Sequence, residues 1–164
     1  MIGIVIGGYM KKLLIFLFLL FFAGLACYAS EMDEVQDFFN RYVEAANSYD
    51  TNYFSFYADD AKIIRVVEKG DGSFETVNIP LERYKSEAKK SKALMKLRKY
   101  KNFYSNIKIL PVGKNYKISA LRQPSLSDYK IPAHFIIGKD DYGNWKIKEE
   151  SMNTRVKAFL TKKS

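Results

Sequence analysis

One stretch constrains the fold of this chain more than any other: Phe38 to Ile64, FFNRYVEAANSYDTNYFSFYADDAKII. Its hydrophobic period changes from about 3.6 residues to a β-branched run within one short segment. Phe38, Phe39, Tyr42, Val43 and Ala46 make a helical stripe. Ser48 and Asp50 interrupt it, an aromatic-rich segment follows to Tyr57, and Ala58-Asp59-Asp60-Ala61 leads into Ile63, Ile64, Val66 and Val67. The order read from this is helix, short helix, acidic turn, strand.

Ahead of that stretch, residues 1–29 have the pattern of a targeting segment. Lys11 and Lys12 precede a 14-residue apolar run, Leu13 to Ala26, and Cys27-Tyr28-Ala29 follows the small-x-small rule of a signal peptidase site. The run is shorter than the ~20 residues that span a bilayer. The alternative is a retained N-terminal anchor. The nine residues before Met10 place an apolar block ahead of the lysines, and codons for Ile6 to Met10 can contain a purine-rich ribosome-binding sequence. Translation is therefore expected to start at Met10. Gly24-Leu25-Ala26-Cys27 is also a loose lipobox, offering Cys27 acylation as a second fate. Cys27 is the one cysteine, so an exported mature chain has no disulfide and depends on an ordinary core.

The remainder is long enough for one domain with a sizeable core. Without Lys11 and Lys12 it carries 25 basic and 18 acidic residues, a net charge of +7. That balance suits anionic neighbours such as lipid headgroups, cell-wall polymers or an acidic partner.

Along the domain, Ser30 and Asp33 suit a helix start, and helix 1 is expected over about Glu31 to Asn47. Asp50 or Thr51 caps the short second helix. A strand over Ala61 to Val67 turns at Lys69-Gly70-Asp71-Gly72-Ser73 and returns as Phe74 to Ile79. Pro80 opens a third helix continuing from Leu81 to about Ala93. The rest reads as β: Lys99 to Leu110, Tyr116 to Arg122, Lys130 to Lys139 and Trp145 to Met152, with turns at Val112–Asn115 and Asp140–Asn144. Residues 153–164 form a basic tail. Helices first and long strands afterwards predict an α+β domain over 30–152. It is a curved antiparallel sheet with about three helices on its concave face, closing a cone with a pocket inside.

Tyr42-Val43-x-Ala45, Asp50, Phe56-Tyr57-Ala58-Asp59-Asp60-Ala61 and the late Gly143-Asn144-Trp145-Lys146-Ile147 turn and strand together resemble the nuclear transport factor 2-like (NTF2-like, SnoaL-like) superfamily over most of residues 31–152. The resemblance implies a cone-shaped fold and leaves function open, because the superfamily contains isomerases, dehydratases, hydrolases, transport factors and binding domains. It also implies a homodimer through the open sheet face. In the ketosteroid isomerases of this superfamily a helix-1 tyrosine and a protonated aspartate donate to the oxyanion, and another aspartate is the base. Tyr42 matches the tyrosine. The base position falls on Arg65 and the second aspartate near Ala133, so two of the three roles are vacant.

The pocket candidates are Tyr42, Tyr57, Arg65 and His134. Arg65 and Tyr42 would offer a cation and a hydroxyl to an anionic ligand, but Arg65 has apolar neighbours on both parities of its strand. His134, the single histidine, would titrate near neutrality as an acid or base. No metal site and no cofactor is expected: histidine and cysteine are too few, and Asp140-Asp141 lacks the later glutamate of a calcium loop. Lys85 to Lys101 with Tyr100, Phe103 and Tyr104 mixes cations with rings as nucleic-acid binders do, but export sets nucleic acid aside and leaves a solvated face or a lipid or cell-wall contact. The sequence reading is an exported, non-catalytic domain of the cell envelope, periplasmic or secreted, that binds a small ligand or a partner protein. The rivals are an enzyme using the cone's polar pocket and a component of an envelope or secretion assembly.

Overall fold

In the computed structural model, residues 31–156 are described; the segment expected to be a leader, Cys27 and the end of the basic tail lie outside them. The chain divides into the units Met1–Glu34 and Val35–Ser164, and the architecture below is that of the second. Helix α1, whose residues 35–47 lie in this unit, buries Val35, Phe38, Phe39 and Tyr42, the four-residue rhythm of its apolar stripe. Tyr49, in the left-handed region at φ 62°, ends it. The aromatic segment Thr51–Phe56 is a 3-10 helix, with the Asp50 side chain accepting from the Asn52 amide. Two α-helices and this short 3-10 helix thus replace the three helices expected: six residues of mostly β-branched and aromatic type are too few to propagate an α-helix.

Six strands follow: β1 (Tyr57–Glu68), β2 (Phe74–Ile79), β3 (Asn102–Val112), β4 (Asn115–Pro124), β5 (Ile131–Lys139) and β6 (Trp145–Thr154), with helix α2 (Leu81–Leu97) between β2 and β3. The sheet order is β2-β1-β6-β5-β4-β3. Every neighbouring pair is antiparallel except β1 and β6, so the sheet is mixed rather than wholly antiparallel. The β1–β2 hairpin and the β3–β6 meander are each antiparallel, and α2 carries the chain across so that their inner strands run the same way. β1 also starts earlier than expected. Asp59 and Asp60 are exposed strand residues, not a turn, and the β1–β6 register shifts between Tyr57 and Lys62 to take them up. Pro111 is tolerated within β3 because β3 is an edge strand.

The hairpin turns expected at Lys69–Ser73 and Asp140–Asn144 are present. Gly143, at φ 82°, closes the β5–β6 hairpin in a conformation that a side chain would strain. The Asp140 carboxylate accepts from the Tyr142 and Asn144 amides, and the Asn144 contact in particular holds its pKa below the usual carboxylate value. The core lies between α1 and the sheet. Phe39, Ile63, Val67, Ile118, Phe135, Ile137 and Ile147 are wholly buried, and the Phe39 and Phe135 rings meet edge-on at 5.0 Å.

Candidate functional site

Strand alternation on β1 turns Ile63, Arg65 and Val67 to the same side, the face that packs under the helices. Arg65 is thereby 5% exposed, a charge that needs a partner at that depth. The partner comes from the last strand. Glu150 on β6 is fully buried, and its Oε1 accepts from Arg65 Nη2 at 2.5 Å. Its Oε2 accepts from the Tyr42 hydroxyl at 3.1 Å and, in a very short contact, from the Tyr57 hydroxyl. Tyr42 and Tyr57 are also joined, 2.8 Å oxygen to oxygen. The Tyr84 ring of α2 lies 5.1 Å from the Arg65 guanidinium carbon, a cation–π contact.

This network makes the phenols poor acids. Burial first, then the Glu150 carboxylate, raises Tyr42 and Tyr57 well above the ordinary value of 10.0. The same causes push Tyr84 up to about 12, against a lowering by Arg65 and Arg122. Burial by itself would lower the Arg65 pKa, but Glu150 more than offsets it and holds the guanidinium in its charged form.

Above the network is a cavity of about 680 Å³, walled by α1, α2 and the inward side chains of the sheet, with Tyr42, Tyr53, Arg65 and Tyr84 among its lining. Met95 and Met152 add apolar surface, and Tyr100, Asn102, Tyr104 and Arg122 form another wall. Asn47 ties α1 to the start of β3, its amide nitrogen donating to the Asn102 carbonyl and its amide oxygen accepting from the Asn102 N–H, both at 2.9 Å.

Of the four residues picked from sequence, the fold brings Tyr42, Tyr57 and Arg65 together around Glu150. His134 is elsewhere. Its neighbours Ala133 and Phe135 take the buried face of β5, which leaves His134 on the opposite face, Nδ1 3.1 Å from the Ser119 hydroxyl of β4. Its pKa is lowered, by partial burial and then by Lys117. Tyr100 and Tyr104, part of the ring-and-cation run read as a surface, line the cavity instead, while Phe103 is exposed. Sequence reasoning missed Glu150. Strict alternation from the buried Ile147 would turn Glu149 inward, but the β5–β6 register shifts between Ile136 and Ile137, and Glu150 takes the buried place. Among the described residues no cluster of three ligand-type side chains is placed to hold a metal ion.

No family model matches the sequence, and no curated protein does. Solved structures do match. One is an NTF2-like protein of unknown function from Pseudomonas putida, 12% identical, TM-score 0.59, covering 76% of this chain and 87% of that one. Another is an NTF2-like protein with a cystatin-like fold from Novosphingobium aromaticivorans, 12% identical, TM-score 0.59, covering 85% and 94%. The chain has the NTF2-like fold. A chain of the yeast deubiquitinase Ubp3 and Bre5 cofactor complex also matches, at 19% identity and TM-score 0.54, over 74% of this chain and 93% of that one. Such low identities carry the fold and nothing about the chemistry. Within the NTF2-like cone, the two positions at which the isomerase resemblance asks for aspartates, Arg65 and Ala133, are both buried. The buried carboxylate comes from β6 instead, and it is already taken by a guanidinium and two phenols.

Proposed function

We propose that this chain is an exported NTF2-like domain of the cell envelope that binds a small ligand in its cone without transforming it. The observation that carries this reading is the cavity of about 680 Å³ above a polar base whose groups are committed to one another. The volume is in the range of pockets that enclose drug-sized molecules. A general base would need a group free to take a proton near neutral pH. At the base of the cone, Glu150 is bonded to Arg65, Tyr42 and Tyr57, and the phenols are raised far from neutrality. Export is supported by the lysine-led apolar segment and small-residue site of residues 1–29.

Native mass spectrometry of protein purified from its own envelope fraction tests this reading. A reproducible small adduct is expected on the native chain and not on Ala88→Trp, which puts an indole into the cavity wall. A bare mass on both overturns ligand binding. An adduct that converts to a second species on incubation overturns the non-catalytic part and favours the enzyme.

A second reading, docking of a partner protein, is favoured by one feature. Phe103, Leu110 and Val112 on edge strand β3 are 55%, 59% and 51% exposed, and an apolar edge strand suits strand addition by another chain. A stable complex with a second protein in the same experiment would support it.

A further inference from the structure

Three arginines, Arg65, Arg83 and Arg122, line the cavity, and two of them are in unlike states. Arg65 is neutralised by Glu150. Arg122 is not. It continues the inward series Tyr116, Ile118, Ala120 of β4, and lies opposite Tyr104 on β3. Its Nη1 donates to Asn102 Oδ1 at 2.9 Å and to the Tyr100 hydroxyl oxygen at 3.4 Å, both neutral acceptors. Among the described residues no carboxylate pairs with it, and its Nε is buried without a hydrogen-bond partner in the protein. Orphaned donors of that kind are rare in folded chains because each forfeits the hydrogen bond it had with water.

The free Nε is chemically informative. A guanidinium binds a carboxylate through parallel N–H bonds, a geometry that Lys cannot match. The Nη1 side is occupied by Asn102 and Tyr100, which orient the group and leave the Nε edge unused. The surroundings suit an amphipathic molecule: Met95, Met152, Val43 and the Tyr104 ring line the same cavity. Glu87, a carboxylate in the α2 wall, accepts from Lys90 and makes no ion pair with Arg122.

We propose that Arg122 is the head-group site of the cone, and that the ligand is an organic carboxylate with an apolar body, its carboxylate on the Arg122 guanidinium after a side-chain shift that uncovers the Nε edge, which protein atoms now cover, and its body against Met95 and Met152. This rests on the cavity being a ligand site.

The test is calorimetric titration of the purified protein with phenylhexanoic acid and with phenylhexanol, which share a body and differ in the head. The native chain is expected to bind the acid roughly ten- to a hundredfold more tightly, the range for a hydrogen-bonded charged group. Arg122→Gln is expected to lose that preference while keeping the weaker alcohol binding. Equal binding of acid and alcohol by the native chain, or an acid preference that survives in Arg122→Gln, overturns the head-group assignment and leaves the cavity reading standing. Binding of neither overturns both. Should Arg122→Gln not fold, Arg122→Lys decides: it keeps the charge and loses the fork, so the preference is expected to fall about tenfold, and an unchanged preference overturns the assignment.

Discussion

Arg65 and Glu150 are 85 residues apart in sequence and form a buried ion pair across the parallel β1–β6 contact, the point where the two antiparallel halves of the sheet meet. The pair ties the two halves together and gives the floor of the cone its charge balance. Two buried charges gain little over an apolar pair of the same size, but removing one of them strands the other.

Glu150→Gln therefore strands the Arg65 charge in the interior. The expected loss is roughly 3–5 kcal/mol in denaturant-induced unfolding, and the double variant Arg65→Met with Glu150→Leu is expected to recover most of it. A Glu150→Gln chain within about 1 kcal/mol of the native one would mean that the pair has the small worth of an exposed ion pair.

The buried Tyr42 and Tyr57 and the half-buried Tyr53, Tyr84 and Tyr104 set an alkaline limit. Tyr42, Tyr53, Tyr57, Tyr84 and Tyr104 are all raised from 10.0, burial being the first cause in each. A pKa raised on folding stabilises below the unfolded value and is lost as pH climbs. Stability is thus expected to fall above pH 10. Spectrophotometric titration should show a set of phenols silent near pH 10 in the folded chain that ionise there in denaturant. A native titration matching the denatured one would contradict the buried network.

His134 sets a smaller limit on the acid side. Its pKa is lowered from 6.5, by burial and then by Lys117, so the unfolded chain takes up the proton first. The contribution is present above pH 6.5 and declines as pH falls through the lowered folded value. His134→Gln is expected to flatten the stability profile in that window without changing ligand binding, because His134 is not among the cavity's lining residues. A change in ligand affinity on that substitution would contradict its placement on the outer face.

Much of the fold was legible because local chemistry and tertiary structure agree. The α1 stripe from Val35 to Tyr42 is an apolar face that has to be buried whatever it meets. The turns at Lys69–Ser73 and Asp140–Asn144 are built from glycine and side chains that bond their own backbone. The site was only half legible. Tyr42 was placed by its helix stripe. Arg65 was not placed, since Ile63, Ile64, Val66 and Val67 offer a buried face on either parity. Glu150 was hidden by a bulge, which shifts alternation by one and has no local signal in Ile147-Lys148-Glu149-Glu150. Arg122 continues the inward parity of β4, but its lack of a counter-charge depends on side chains from other strands and from α2.

By itself, then, the sequence determined the α+β class, the main strands and hairpins and the apolar face of α1, because periodicity and turn chemistry act over a few residues. Only the tertiary structure decided that β1 lies parallel beside β6, that Glu150 neutralises Arg65, and that Arg122 faces the cavity with an unused donor. Those depend on register between distant strands. Desolvation makes a buried charge costly enough to require a partner, and strand pairing alone decides which residue is close enough to be that partner.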